Sequence, residues 1–293
     1  MHATIATHKC VLLALSLTLG LPLVLPAAEE EQLPSPLKLT LCSEHSTITP
    51  GKPFTVGLLL QHQPHHHSYF KFPGIVGVGT NIAWTLPKGY AAGEIQWPVP
   101  EQVDMRGHGA YGYHQDTLLL VDITPSLAEN SAQVTLEAKV GYMCCSQERC
   151  TPGFQDLALT LKIGASPIED PKWHPMFAAT RKAHAKAFPQ WTAILKDHPQ
   201  DNEAFHLQLI APEQETKLPE PKDLYFFSTN HWTASNQPHQ CQRQGRHYHF
   251  TLPKHPFPDE DAKRFQGILR NAQGWNSDTT GMLIDLPLPN SKP

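Results

Sequence analysis

AQVTLEAKVGYMCCSQERCTPGFQDLALTLKI, residues 132–163, alternates apolar and polar side chains on both sides of a short polar break. Val134, Leu136, Ala138, Val140 and Tyr142 share one parity, and Thr135, Glu137, Lys139 and Met143 share the other. After the break, Leu157, Leu159, Leu161 and Ile163 line one face, with Ala158, Thr160 and Lys162 opposite. A period of two is the signature of a half-buried strand. The spacing predicts strands over 132–144 and 155–163, joined as a hairpin. Parity also sorts the cysteines. Cys144 continues the inward series and is expected to be a buried, inert thiol. Cys145 is expected to face outward at the strand end, with Cys150 across the loop.

The same pattern extends on both sides. Short apolar runs at 37–42, 54–60, 68–72, 80–86 and 117–124 are separated by Gly, Pro and Asn. Together they predict an antiparallel, immunoglobulin-like sandwich over 35–165. From Trp173 the period changes. Trp173, Phe177, Thr180, His184, Phe188, Trp191 and Leu195 recur at three- and four-residue spacing, which predicts a helical linker over 170–198. Pro189 interrupts it, so a helix is expected near 173–187 and a second turn from Pro189. Alternation returns with Phe205, Leu207 and Leu209, then with runs at 224–227, 247–252, 264–269 and 281–286. These predict a second, smaller β-sandwich over 200–290, so the chain as a whole is expected to be mainly β.

Composition bounds the function. The chain has 293 residues, enough for two ordinary domains, with 40% hydrophobic and only 17% charged residues. The net charge is −4 and Lys and Arg form no stripe, so nucleic acid is excluded as a partner. Residues 1–28 read as an export signal. Lys9 precedes an apolar run from Val11 to Leu25, followed by Ala27 and Ala28 and then Glu29 to Glu31. That run is short for a membrane span. The mature protein is therefore expected to be soluble, in an oxidising compartment.

Six cysteines are present, and Cys10 lies inside the signal. Cys42, Cys144, Cys145, Cys150 and Cys241 remain, an odd number. Cys145 and Cys150 flank a hairpin loop that can bring their Cα atoms within disulfide range. A bridge closing so small a loop stabilises little, which suits reversible exchange. Arg149 is placed to favour the Cys150 thiolate. Three other readings stay open on the residues alone. They are a structural hairpin disulfide, a vicinal Cys144–Cys145 bridge, and zinc held by Cys144, Cys145, Cys150 and a histidine.

The 18 histidines raise a metal-binding alternative. His62 and His65 to His67 cluster before the strand at 68–72, and His65 and His67 share a parity that would let both reach one copper or zinc ion. His247 and His249 share a face near Cys241. A solvated, His-rich loop is the plain alternative. No phosphate-binding glycine loop, nucleophile elbow or HExxH sequence occurs, and no cofactor is expected.

Several spaced segments resemble one family. These are Tyr69 with Pro73-Gly74, IAWTLPKGYAAGEIQWPVP at 82–100, Tyr111-Gly-Tyr113, Leu118 to Val121, and the Cys145–Cys150 segment with Thr151-Pro152. In this order they are similar to the periplasmic N-terminal domain of the DsbD/ScsB thiol:disulfide interchange proteins. The likeness is strong over roughly 45–165. It continues more weakly through Asp223 to Phe227, Phe265 to Leu269 and Ile284 to Leu288. The resemblance implies a periplasmic oxidoreductase in which Cys150 attacks a partner disulfide and Cys145 resolves the mixed disulfide. It implies oxidised periplasmic thiol proteins as partners and a separate membrane electron donor of the CcdA or DsbD kind, since membrane and thioredoxin-like domains are not seen in the sequence. Some family members guard the pair with a cap loop. Asp104, His108 and Tyr111 are the candidates for that role here, and Cys144 is an extra cysteine without a counterpart.

Overall fold

The computed structural model describes His2 and residues 35–128, 131–196, 202–259, 261–275 and 279–288. The expected export signal lies outside the described residues.

The first sandwich contains β1 (Leu37–Ser43), β2 (His45–Ile48), β3 (Phe54–His62), β4 (His67–Gly74), β5 (Asn81–Thr85), β6 (Ala91–Ala92), β7 (Glu101–Met105), β8 (His108–Tyr113), β9 (Thr117–Thr124), β10 (Gln133–Cys145), β11 (Cys150–Ile163) and β12 (Ile168–Glu169). One sheet has the order β1-β3-β9-β6. The other runs β12-β2-β11-β10-β4-β8-β7, with β5 also on β10. Pairing is antiparallel except between β2 and β11.

Alternation builds the core between these sheets. Leu39, Leu41, Val56, Leu58, Leu119 and Val121 meet Val134, Leu136, Ala138 and Val140. The run Leu118-Leu119-Leu120 does not alternate with polar residues because its sheet is covered on both faces. Leu119 enters the inter-sheet core, whereas Leu118 and Leu120 pack with Cys42 and Leu59 beneath Phe177.

Phe177 belongs to α1 (His174–Ala183), which starts behind Asp170. The Asp170 carboxylate accepts the N–H groups of Lys172 and Trp173, and its carbonyl accepts that of His174. The helix is shorter than the expected 173–187, and the expected turn at Pro189 is a single one, closed by Trp191 N–H on the Phe188 carbonyl at 2.9 Å before β13 begins. The cause is tertiary pairing. Lys186 donates to the Gly281 carbonyl at 3.0 Å and accepts from Leu283 N–H at 2.9 Å, which draws the chain into extended form. Phe188, Trp191 and Leu195 then pack into the second sandwich, and Leu195 does so from a strand.

That sandwich has β13 (Thr192–Lys196), β14 (Ala204–Ile210), β15 (Leu224–Ser228), β16 (Gln240–Gln244), β17 (His247–Pro253), β18 (Arg264–Trp275) and β19 (Thr279–Pro287). Its sheets are ordered β13-β14-β17-β16 and β15-β18-β19. Leu207, Leu209, Phe226, Phe250, Phe265 and Ile284 fill the space between them. A seam joins the two sandwiches: Phe70, Tyr111 and Tyr113 of the first pack on Phe227 and Ile268 of the second.

Candidate functional site

The β10–β11 register runs unbroken to its tip, where Cys145 is the cross-strand partner of Cys150. The two form a disulfide with their Cα atoms 4.0 Å apart. Ser146 organises the loop between them. Its N–H donates to the Arg149 carbonyl at 2.8 Å, and its hydroxyl accepts the N–H groups of Glu148 and Arg149. Strand β11 begins at Cys150, earlier than the expected 155, because β10 pairs with it through Pro152 and Gly153.

Cys144 is buried against the inter-sheet core, as parity predicts, and burial pushes its thiol up to about 12. It is free, and so is not joined to Cys145. Cys145 differs from the expectation of an outward, exposed sulfur. It does lie on the opposite face from Cys144, yet it is 0% exposed, packed with Tyr69, Val103 and Ala110. The reason is the hairpin β7–β8, which extends the sheet beyond β4 and brings Val103 and Ala110 onto that face. Close passage of β4 and β8 requires glycine at 112, because a Cβ there would stand 2.0 Å from the Ser68 carbonyl oxygen. Cys150 remains half-buried. The disulfide therefore joins a fully buried residue to a half-buried one.

The β7–β8 tip is tied down over the cysteine loop. Asp104 accepts from Gly107 N–H and from Gln147 Nε2, both at 3.0 Å, and these bonds hold its carboxyl below the usual range. Arg106 donates to the carbonyls of Gln147 and Glu148. Arg106 and Gly107 both have positive φ, 54° and 82°, as a two-residue turn of the I′ kind requires. Met105-Arg-Gly-His108 is thus the sequence signal that would have disclosed this hairpin. Arg106 and Gln147 went unrecognised without it.

The other expected site residues fall in different places. His108 pairs with Met105 across the turn, is exposed, and contributes only a weak charge effect at Asp104. Tyr111 is not at the disulfide. It lies in the seam, 4.9 Å from Phe227 between ring centroids, and burial raises its phenol to about 12. Arg149 is exposed on the cysteine loop.

His65 and His67 are not brought together. His65 sits in the preceding turn with φ 64° and is exposed, so strand parity does not apply to it. His67 opens β4 opposite Cys145 and is 2% exposed. Desolvation lowers its pKa to about 4. Its Nε2 is 3.3 Å from the Tyr69 hydroxyl, which donates to Cys145 Sγ at 3.1 Å. Among the described residues, no group of three His, Cys, Asp or Glu is placed to hold a metal ion. His247 and His249 stack 6.4 Å apart on β17.

The family model for the N-terminal region of the thiol:disulfide interchange protein DsbD matches residues 38–162. Those residues form a DsbD-type N-terminal domain. Among solved structures, the N-terminal periplasmic domain of ScsB from Proteus mirabilis is similar to this chain. It shares 15% identity, covers 82% of this chain and 91% of its own, and gives a TM-score of 0.54. That likeness shows the fold and reaches beyond the DsbD-type domain into the second sandwich. The E. coli chaperone DraB is far less similar: 8% identity, coverage of 85% and 98%, and a TM-score of 0.22. No curated protein matches the chain. The Cys145–Cys150 disulfide lies within the matched residues, and the match suggests thiol:disulfide interchange. Among the described residues, no helix is long and apolar enough to cross a membrane.

Proposed function

We propose that this chain is a periplasmic thiol:disulfide interchange protein that carries electrons on Cys145 and Cys150. A membrane donor of the CcdA or DsbD kind reduces the pair, and the pair reduces oxidised thiol proteins. Cys150 is the nucleophile, and Cys145 is the resolving thiol. One observation carries this reading: the disulfide at the hairpin tip joins a fully buried residue, Cys145, to a half-buried one, Cys150. Attack by an outside thiolate needs an accessible sulfur, so the asymmetry supports Cys150 as the cysteine that meets partners. The second sandwich supports this domain through the seam under β4 and β8.

Trapping tests the assignment. Cys145→Ser leaves a mixed disulfide at Cys150 unresolved, so the reduced variant accumulates covalent adducts with periplasmic thiol proteins. Cys150→Ser accumulates none. Equal trapping by both variants, or by neither, refutes the assigned roles.

The burial of Cys145 also favours a second reading, a structural bridge in an interaction module. The reduction potential separates the two. A value below about −300 mV marks a structural bridge, and a value in the range of exchange proteins supports the relay.

A further inference from the structure

The two sulfurs of the pair face different physical problems during exchange. When a donor thiolate bonds to Cys150 Sγ, the Cys145–Cys150 bond breaks and its electron pair leaves on Cys145. During discharge, Cys150 is bonded to a partner sulfur. The Cys145 thiolate then re-forms the internal bond, and the partner leaves as a thiolate. Cys145 must therefore be an anion in both directions, at a position with 0% exposure. A buried anion without a hydrogen-bond donor is strongly disfavoured.

The donor is present. The Tyr69 hydroxyl lies 3.1 Å from Cys145 Sγ and gives it its hydrogen. A phenol that donates its one hydrogen to sulfur can still accept at oxygen, and His67 Nε2 stands 3.3 Å away. With the phenol hydrogen on Cys145 Sγ, the matching His67 tautomer is Nε2–H. The geometry points to Tyr69 as a catalytic hydrogen-bond donor that stabilises the Cys145 thiolate as leaving group and as nucleophile, with His67 the positioning residue behind it. This inference rests on the exchange reading above.

The surroundings agree with it. Burial raises the Tyr69 phenol to about 12, so Tyr69 keeps its proton and acts as a donor throughout. His67 is kept neutral by desolvation first. The neighbouring His114, His62 and His66 add to that effect, and Asp104 opposes it. A neutral imidazole can orient the phenol without competing for the thiolate. No proton is transferred in either exchange step.

Reaction of the reduced full-length chain with dithiobis(nitrobenzoate) tests the inference. Cys150 attacks the probe and releases one nitrothiobenzoate. Cys145 then closes the ring and releases a second, so the two phases report the two cysteines separately. Removing a hydrogen bond from a charged group lowers the thiolate fraction by roughly 10- to 100-fold. A Brønsted slope near 0.5 returns about half of that on a logarithmic scale as greater nucleophilicity. Tyr69→Phe should therefore slow the second phase by roughly three- to tenfold at neutral pH and leave the first unchanged. The pH midpoint of ring closure should move up, and at alkaline pH the variant should overtake the parent. That crossing is not expected from mere loosening of the site.

His67→Leu should slow the second phase in the same direction. His67→Gln, whose amide can still donate to the phenol, should restore most of the rate. This pair keeps the inference testable if Tyr69→Phe does not fold. A second phase within roughly twofold of the parent in both Tyr69→Phe and His67→Leu overturns it. A parent protein that reacts once at Cys150 and never releases the second nitrothiobenzoate overturns the exchange reading instead.

Discussion

Each sandwich contains one long hairpin, and the two finish differently. In the second, β18 ends on Trp275, which is buried in the core and donates its indole N–H to the Leu269 carbonyl at 3.1 Å. In the first, β10–β11 ends on a disulfide overlaid by polar hydrogen bonds from Asp104, Arg106 and Gln147. A hydrophobic anchor holds a strand end permanently, because releasing it exposes apolar area. Exposed polar bonds exchange with water at little net cost. The same hairpin scaffold thus ends on a buried apolar anchor in one sandwich and on a polar-bonded disulfide in the other. The thiols follow this division. Cys241 on β16 is half-buried, and desolvation pushes its thiol up to about 12, which disfavours the thiolate.

The most decisive challenge to that contrast exchanges the thiols. Cys150→Ser should reduce disulfide-reductase activity to background in a coupled assay with a periplasmic substrate, while Cys241→Ser leaves it unchanged. Comparable losses from both would place chemistry in the second sandwich too. The seam gives the next largest effect. Phe227 is 0% exposed between Tyr111 and Tyr225. Phe227→Ala should cost about 3–5 kcal/mol by denaturant unfolding. It should also speed reduction of the disulfide by dithiothreitol, because β8 loses its backing.

Much of this arrangement was legible in residue order, and the exceptions share a cause. The strands at 37–42, 54–60 and 117–124 follow directly from apolar runs, and parity alone assigned Cys144 to the core. The hairpin over Cys145 went unseen because Glu101 to Tyr113 mixes Gly, His and charged residues without clear alternation. Its faces are set by the Tyr69 and Cys145 side chains on one side and the second sandwich on the other. Tyr111 misled for the same reason: beside Gly112 it reads as a loop aromatic, yet Phe227, more than a hundred positions away, defines its surroundings. The helical period at 173–195 was real only to Ala183, beyond which pairing with β19 prevails. His67 was singled out as a metal ligand by spacing. Its pairing with Cys145 depends on register across β4 and β10, which no local pattern encodes.

A smaller perturbation probes how the second sandwich supports the disulfide tip. Ser235 accepts Ile75 N–H at 3.0 Å and donates to the Gly109 carbonyl at 2.6 Å. Gly109 cannot be larger, since a Cβ would meet the Ser235 carbonyl oxygen at 2.6 Å. Ser235→Ala leaves both backbone groups without this partner and should cost about 1–3 kcal/mol in thermal or denaturant unfolding. If the tip depends on this buttress, dithiothreitol should also reduce the variant disulfide faster. An unchanged reduction rate with the stability loss present would mean that β7–β8 is held by its own loop bonds alone.

Ion pairs sharpen the comparison at the smallest scale. In the second sandwich, Arg264 meets Asp285 at 2.6 Å with both side chains about half exposed, at 50% and 52%. Such a pair contributes about 0–1 kcal/mol. In the first, Arg181 of α1 grips Glu44 with two bonds of 2.6 Å, and the Glu44 side chain is only 8% exposed. The Arg181 hydrogen bonds are the largest cause holding the Glu44 carboxyl below its ordinary 4.5. A carboxyl lowered by folding contributes stability that is present above its unfolded value and lost as pH falls through its folded value. Because Arg181 is 41% exposed, the contribution is about 1 kcal/mol rather than the several expected of a fully buried pair. The acid limb of a stability–pH curve below about pH 4.5 should therefore flatten in Glu44→Gln. Asp285→Asn should leave its shape nearly unchanged. A slope that survived Glu44→Gln would mean that other carboxylates govern acid unfolding, and that the Arg181–Glu44 pair adds little to the docking of α1 through Phe177 and Trp173.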